Sequence, residues 1–426
     1  MLEDRFGRVA TDLRVSLTDR CNLRCSYCMP AEGLDWLPDE TVLTDDEVVR
    51  LIRVGVELLG IREVRFTGGE PLVRRGLVDI VRRTRAIDPA LELSITTNAL
   101  GLARNAAALA EAGLNRVNVS LDTVRADTFH QITRRDRFDD VVEGLEAARR
   151  ANLGPIKLNA VLLRDVNDDQ AAELLRWAIA NDYDLRFIEQ MPLDAQHGWT
   201  RAGMITADEI FQRLEAEFDL SPAIEPRGSA PAELFLVDGG PATVGVIASV
   251  TRPFCGDCDR VRLTADGQVR NCLFAREESD LRGALRAGAS DEELAERWVV
   301  AMRGIEVDAL TAACVMVRRE LAGDRRDERA EAADHGRVGG QERSPGEHAR
   351  VVRIGHELPG GIGPGHTGDL VPSLGKPSCS HTSNVPESKN ADAHRSISLS
   401  SLRGKLFRNA WFCVPRSGRS WSSPSR

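Results

Sequence analysis

Apolar positions along the chain repeat with two different periods. Short runs rich in β-branched and aliphatic residues recur at Arg14–Thr18, Glu63–Thr67, Leu91–Thr97, Arg116–Leu121, Ile156–Leu163 and Asp184–Gln190, and each reads as a strand. Between them, segments such as Thr44–Leu59, Leu102–Ala112 and Phe138–Ala151 carry apolar residues at three- and four-residue steps, the spacing of amphipathic helices. Thr44 with Glu47 forms a capping box at one helix start. Strand–helix alternation predicts an α/β fold with a parallel sheet and right-handed crossovers. Six such units make a partial (β/α)6 barrel of the TIM type, short of the full eightfold one. Sites in such folds gather at the C-terminal ends of strands. Tyr27, Gly69, Thr96, Ser120 and Met191 all stand at or just after such ends, on one predicted rim.

After about residue 220 the pattern shortens. Leu234–Val237, Thr243–Ser249 and Val261–Leu263 are brief β-like runs separated by Pro- and Gly-containing turns. The expected division is a barrel over 1–219, a small auxiliary domain over 220–304 capping the barrel mouth, and a tail over 305–426. Composition sets the tail apart. Residues 1–304 carry 38 Lys+Arg against 51 Asp+Glu, whereas 305–426 carry 18 against 14. The tail also holds 15 serines, and runs such as PGGIGPGHTGDL and RSGRSWSSPSR offer little from which to build a core. It is expected to be disordered or read in a shifted frame. The N-terminus, MLEDRFGRVATD, is charged and lacks an apolar run, so no signal peptide is expected and a reducing cytoplasmic setting follows.

Six of the nine cysteines fall into two trios. Cys21, Cys25 and Cys28 form C-x3-C-x2-C; Cys255, Cys258 and Cys272 form C-x2-C-x13-C. Three thiolates can hold a [4Fe–4S] cluster and leave one iron open, where an electron-carrying cluster takes four. Zinc is the competing reading for either trio, since thiolates suit both metals. The first trio has no neighbouring His to complete a tetrahedron, because His130 and His197 are the only histidines before residue 335.

The C-x3-C-x2-C motif, with Tyr27 before its last cysteine, resembles the radical S-adenosylmethionine (SAM) superfamily, and Gly68-Gly69-Glu70-Pro71 after the second strand resembles that superfamily's GGEP segment. Two glycines allow close backbone approach to a ligand, Glu70 offers a carboxylate to an ammonium, and Pro71 suits a helix start. From about Arg5 to about Gly304 the chain resembles the GTP 3′,8-cyclase family of molybdenum cofactor biosynthesis, most specifically in the second trio with Arg260-Val261-Arg262 just after Cys258. The resemblance implies that the first trio holds the SAM-binding [4Fe–4S] cluster and the second a substrate-facing one. It implies that Tyr27, Gly69, Ser120 and Met191 contact SAM. It places GTP against Arg14, Arg65, Thr96, Lys157, Arg186 and the segment Arg260, Val261, Arg262. The implied reaction is SAM cleavage to a 5′-deoxyadenosyl radical, removal of the 3′ hydrogen of GTP, and closure onto C8 of guanine. Implied partners are the downstream cyclic pyranopterin monophosphate synthase, an electron donor such as flavodoxin or ferredoxin, and a second copy in a homodimer; no membrane or nucleic acid is expected.

The basic residues make sense on chemical grounds, because arginine binds phosphate through strong, planar, often bidentate bonds. Lys157 is the only lysine in residues 1–304, which suggests a site needing a compact point charge. The competing reading is a strand lysine reaching solvent. Three other functions fit part of the pattern: a radical SAM enzyme acting on a peptide or other substrate, a non-catalytic iron–sulfur or zinc protein, and a nucleic-acid binder using the basic tail, for which interleaved aromatics are lacking. The family's pattern stops near Gly304, and the resemblance implies a terminal glycine pair that reaches the active site. Gly339-Gly340 and Gly360-Gly361 are pairs in other contexts. On that reading both clusters could assemble while cyclisation fails, and Cys314, Cys379 and Cys413 are incidental thiols.

Overall fold

The computed structural model describes residues 1–224, 227–275 and 278–304; the expectations for 305–426, including the glycine pairs and Cys314, Cys379 and Cys413, lie outside the described residues. A short antiparallel hairpin, β1 (Leu2–Glu3) and β2 (Val9–Ala10), opens the chain. The alternating body follows: β3 (Asp12–Ser16), α1 (Asp45–Leu59), β4 (Glu63–Thr67), α2 (Leu77–Arg85), β5 (Glu92–Thr97), α3 (Leu102–Glu111), β6 (Arg116–Ser120), α4 (Ala126–Thr133), α5 (Phe138–Arg150), β7 (Lys157–Val161), α6 (Ala171–Ala180) and β8 (Asp184–Ile188). These are the six strand–helix units that periodicity predicts, with boundaries shifted by two residues or fewer at most ends. Then come α7 (Ala207–Glu215), β9 (Leu220–Pro222), β10 (Glu233–Val237), β11 (Thr243–Ile247), β12 (Arg260–Leu263), β13 (Gln268–Arg270), β14 (Ser279–Asp280), α8 (Arg282–Arg286) and α9 (Asp291–Arg303).

Strands β3 to β8 lie side by side in chain order, all parallel. The segment after residue 220 adds strands to both edges of this sheet rather than building a sheet of its own. β11 pairs parallel with β8 and carries β10 and β9 outward; β12 pairs parallel with β3 and carries β13 and β14. The physical reason is edge satisfaction. An open barrel of six strands exposes two rows of unpaired backbone groups, and β11 and β12 cover them.

Side chains on the strands alternate. Leu13, Val15, Val64, Phe66, Leu93, Ile95, Val117, Val119, Leu158, Leu185 and Phe187 are buried in the apolar core. Between them fall Arg14, Arg65, Ser94, Arg116, Asn118, Lys157, Asn159 and Arg186, so one face of the curved sheet is apolar and the other polar. The outer layer is built from amphipathic helices. On α1, Thr44 accepts from the Glu47 amide at 3.2 Å while Glu47 Oε2 accepts from the Thr44 amide at 2.8 Å, and Gly60 ends the helix in the left-handed region at φ 84°. The fully buried Trp298 of α9 packs beside Gly55 of α1, so the last described helix belongs to the barrel wall.

Candidate active site

The first trio sits on the loop after β3. Backbone bonds shape it: Cys28 and Met29 amides donate to the Cys25 carbonyl at 2.9 and 3.0 Å. The end of α4 holds it from outside, with the Arg24 and Ser26 amides donating to Thr133 and Ile132 carbonyls, and Arg134 Nη1 donating to the Arg24 and Met29 carbonyls. All three thiols are half-buried. Burial drives the Cys25 thiol well above its ordinary range, and negative charge on Asp122, Cys28 and Cys21 adds to that. Cys28 is pushed up to about 12, first by burial and then by Cys21, Asp122 and Asp194. Three buried thiols crowded in each other's field fit a cationic metal cluster that would hold them as thiolates. Among the described residues, no three His, Cys, Asp or Glu side chains converge on a single metal ion.

The GGEP segment lies against this loop. The Gly69 amide donates to the Thr18 carbonyl and the Glu70 amide to the Arg20 carbonyl, both at 2.8 Å. A Cβ on Gly68 (φ 142°) would strike the Thr18 carbonyl, and one on Gly69 would stand 2.5 Å from the Asp19 carbonyl oxygen. The two glycines thus allow the segment to approach the cysteine loop closely. Glu70 is 1% exposed, and its carboxylate accepts from the Leu72 amide (2.9 Å), the Thr97 hydroxyl (2.7 Å) and the Asn98 amide (2.7 Å). Its carboxylate therefore ties β4 to the end of β5, and burial raises its pKa to about 7.

Other rim residues are placed as expected in position. Ser120 ends β6 and is exposed, Thr96 lies near the end of β5, and Met191 follows β8 half-buried. Tyr27 is anchored by its hydroxyl, which donates to Asp122 Oδ2 at 2.8 Å; Asp122 Oδ1 accepts from the Val161 amide at 2.9 Å. Asp122 and Asn98 escaped sequence reasoning. Asp122 follows the β6 end by two residues, a position on the rim that could have flagged it. Asn98 Nδ2 donates to Asn22 Oδ1 at 2.7 Å and lies 3.9 Å from the Cys21 sulfur.

The polar face of the sheet concentrates positive charge. In register, Arg14 of β3 stands between Arg262 of β12 and Arg65 of β4, and Arg186 of β8 between Asn159 of β7 and Gly245 of β11. Arg14 is pulled down to about 9 by burial, with Arg65, Arg262 and Arg260 opposing its charge and Asp12 (3.2 Å) favouring it. Arg186 is pulled down to about 10 by burial and by Arg65 and Arg116, and its Nη2 donates across to Asn118 Oδ1 at 2.9 Å. Burial, then Arg186 and Arg116, lowers Lys157. Gly245 makes room, since a Cβ there would meet Arg186 Cγ at 2.7 Å. The Nε atoms of Arg14 and Arg186 are buried without a hydrogen-bond partner. Arg116, which sequence reasoning missed although it opens β6, pairs with Glu63 (2.8 Å) and Glu92 (2.9 Å); Glu63 also holds Arg65 at 2.6 Å.

The second trio borders this layer. Cys255 opens a short 3-10 turn, and the Cys258 amide donates to the Cys255 carbonyl at 3.3 Å. Arg260 Nε lies 3.2 Å from the Cys258 sulfur, with its guanidinium 5.2 Å from the Phe254 ring centroid. Burial raises the Cys272 thiol while Arg262 opposes the rise. This donor set of three thiols beside cations also fits a cluster. Val261, between the two arginines, is fully buried opposite Leu13, so its side chain belongs to the apolar core.

Residues 15–178 match the radical SAM superfamily, and residues 183–306 match the Molybdenum Cofactor Synthesis C family. A GTP 3′,8-cyclase of Streptomyces coelicolor is 64% identical over 310 residues, covering 72% of this chain and 91% of that protein. A GTP 3′,8-cyclase of Mycolicibacterium smegmatis is 59% identical over 305 residues, covering 71% and 84%. Among solved structures, Streptococcus suis SuiB bound to S-adenosylmethionine gives a TM-score of 0.46 at 14% identity, covering 64% of this chain and 63% of that one.

Proposed function

The chain belongs to the GTP 3′,8-cyclase family of radical SAM enzymes, and on that premise we propose how its residues divide the work. The reaction converts GTP to (8S)-3′,8-cyclo-7,8-dihydroguanosine 5′-triphosphate, the first step of molybdenum cofactor biosynthesis, with two [4Fe–4S] clusters and SAM as cofactors. Cys21, Cys25 and Cys28 would hold one cluster, and Cys255, Cys258 and Cys272 the other. When bound, these groups and SAM supply a 5′-deoxyadenosyl radical for the 3′ hydrogen of GTP and an open iron for the purine.

The protein's own share is binding, orientation and exclusion of water. Gly69, Ser120, Met191 and the Tyr27 segment form the rim that receives SAM, and Glu70 and Asp122 hold that rim in shape. Arg14, Arg65, Lys157, Arg186, Arg260 and Arg262 receive the triphosphate and base, with the Thr96 hydroxyl beside them. Val261 contributes through its backbone only. The observation that carries this assignment is the buried layer of cations with two unpartnered guanidinium Nε atoms. Arg14 shares the Asp12 carboxylate with Arg65, and the Arg186 guanidinium bonds a neutral amide, so this layer is short of counter-charge and a triphosphate brings several. We assign 1–219 to SAM and 220–304 to the second cluster. We further assign a homodimer, a flavodoxin- or ferredoxin-type donor, a cytoplasmic setting, and hand-over of the product to cyclic pyranopterin monophosphate synthase. Among the described residues no helix is long and apolar enough to cross a membrane.

Anaerobically reconstituted full-length chain given SAM, GTP and a strong reductant is expected to yield 5′-deoxyadenosine and cyclised GTP together by mass spectrometry. Cys25→Ala should abolish both products, and Cys258→Ala should spare 5′-deoxyadenosine alone. 5′-Deoxyadenosine without cyclised GTP from the unaltered chain would point to the missing glycine pair or to another substrate, and absence of GTP binding in the same chain would overturn the GTP assignment.

A further inference from the structure

The second thiol trio is held from an unexpected direction. Cys255 is separated from the N-terminal hairpin by most of the described chain, yet Arg8 Nη1 donates to the Cys255 carbonyl at 2.7 Å. That carbonyl is the pivot of the Cys255–Cys258 turn, since it also accepts from the Cys258 amide. Arg8 is itself fixed. Its Nε donates to Asp4 Oδ2 at 2.7 Å and its Nη2 makes a second bond to the same carboxylate. Asp4 is buried, and its Oδ1 accepts from the Phe6 and Arg8 amides at 2.9 and 3.0 Å. The Phe6 ring lies 5.6 Å from the guanidinium. Nearby, the Thr11 and Asp12 amides donate to the Asp259 carbonyl at 2.9 and 3.1 Å, so the start of the chain grips both sides of Cys258.

We propose that Arg8 is a positioning residue of the second cluster: seated on Asp4, it holds the Cys255–Cys258 turn by the Cys255 carbonyl and sets a positive charge beside the trio. Only a forked guanidinium can engage a carboxylate with two nitrogens and keep the third for a carbonyl; lysine has one nitrogen for both tasks. The charge stands at the trio itself, because the Arg8 guanidinium bonds the backbone carbonyl of one of its three cysteines. Groups behind metal ligands commonly change metal affinity about 10- to 100-fold when removed.

The proposal rests on the second trio holding a cluster, and the test separates the two. In full-length chain carrying Cys21, Cys25 and Cys28→Ala, only the second cluster can assemble; its iron content, chelator release rate, reduction potential and electron paramagnetic resonance signal are then read with and without Arg8→Ala. Release should accelerate about tenfold, and the potential should fall, because loss of a nearby cation disfavours adding an electron. Arg8→Lys should keep the potential near its original value while release stays fast. In the reciprocal Cys255, Cys258 and Cys272→Ala chain, Arg8→Ala should leave the first cluster unchanged. Unchanged release and potential in Arg8→Ala would overturn the proposal, as would equal loosening of both clusters. Absence of iron from the Cys21, Cys25 and Cys28→Ala chain would overturn the second-cluster assignment and the proposal with it.

Discussion

Gly69→Ala tests how tightly the cysteine loop and the GGEP segment are locked together. Gly69 has no left-handed backbone, so an added methyl acts through space alone. Its Cβ would stand 2.5 Å from the Asp19 carbonyl oxygen and nearer still to that of Arg20, whereas ordinary contact begins at 3.4 Å. The loop must retreat by about 0.9 Å, the gap between those two distances, and both obstacles are backbone atoms that cannot rotate aside. Overpacking of this kind costs about 1–3 kcal/mol. Weakening the Gly69–Thr18 and Glu70–Arg20 bonds adds about 1 kcal/mol each. A loss of about 3–5 kcal/mol is therefore expected, a large part of an ordinary domain's stability. Because Arg20 directly precedes Cys21, the first cluster should load poorly while the second loads normally. Urea unfolding of the cluster-free chain and iron content after anaerobic reconstitution measure both effects. Gly256→Ala is the control: it lies within the second trio, yet a Cβ there meets nothing within 4 Å. If Gly69→Ala unfolds within about 1 kcal/mol of the unaltered chain and loads its first cluster fully, the two loops are not locked and the reasoning fails.

Gly245→Ala should displace Arg186 and cost some stability as well, because the obstructing Cγ is close to the Arg186 backbone and Ala232 Cβ stands 3.2 Å from the added methyl. Loss of a charge-assisted phosphate bond should weaken GTP binding about tenfold or more, and equilibrium binding that matches the unaltered chain would remove Arg186 from the GTP site. Lys157→Ala should weaken GTP binding to a similar degree, about tenfold; unchanged affinity in calorimetry would restore the solvent-reaching lysine. The pH dependence of stability should carry a signature of Glu70, whose pKa rises from 4.5 to about 7 on burial. Between those values the folded, cluster-free chain keeps a proton that the unfolded chain has lost. Stability from this group is thus greatest below pH 4.5 and falls by about 3 kcal/mol as pH rises to 7. Glu70→Gln should flatten that fall, and an equal slope in both proteins between pH 5 and 8 would count against it.

Periodicity along the chain was enough to place the six strands, the main helices and the Thr44–Glu47 cap, because burial of one face and capping of one end are decided within a window of a few residues. The cysteine trios were legible for the same reason, their spacing being covalent. What each polar group does was decided only in three dimensions. Gly68 and Gly69 were recognisable as close-approach residues, but that they approach the Thr18–Arg20 backbone depends on the pairing of β3 with β4. Glu70 was legible as a carboxylate, but that it accepts from Thr97 and Asn98 at the end of β5 as well as from its neighbour Leu72 depends on the packing of β4 against β5. Arg116 and Arg14 both lie on the polar face of the sheet, yet Arg116 is matched by Glu63 and Glu92 while Arg14, paired with Asp12, keeps an unpartnered Nε. Strand order alone makes that difference. That β11 and β12 cover opposite edges of one sheet, and that Arg8 reaches Cys255, follow from how distant segments pair. Spacing within the sequence carries no record of strand order, so only the assembled sheet could decide it.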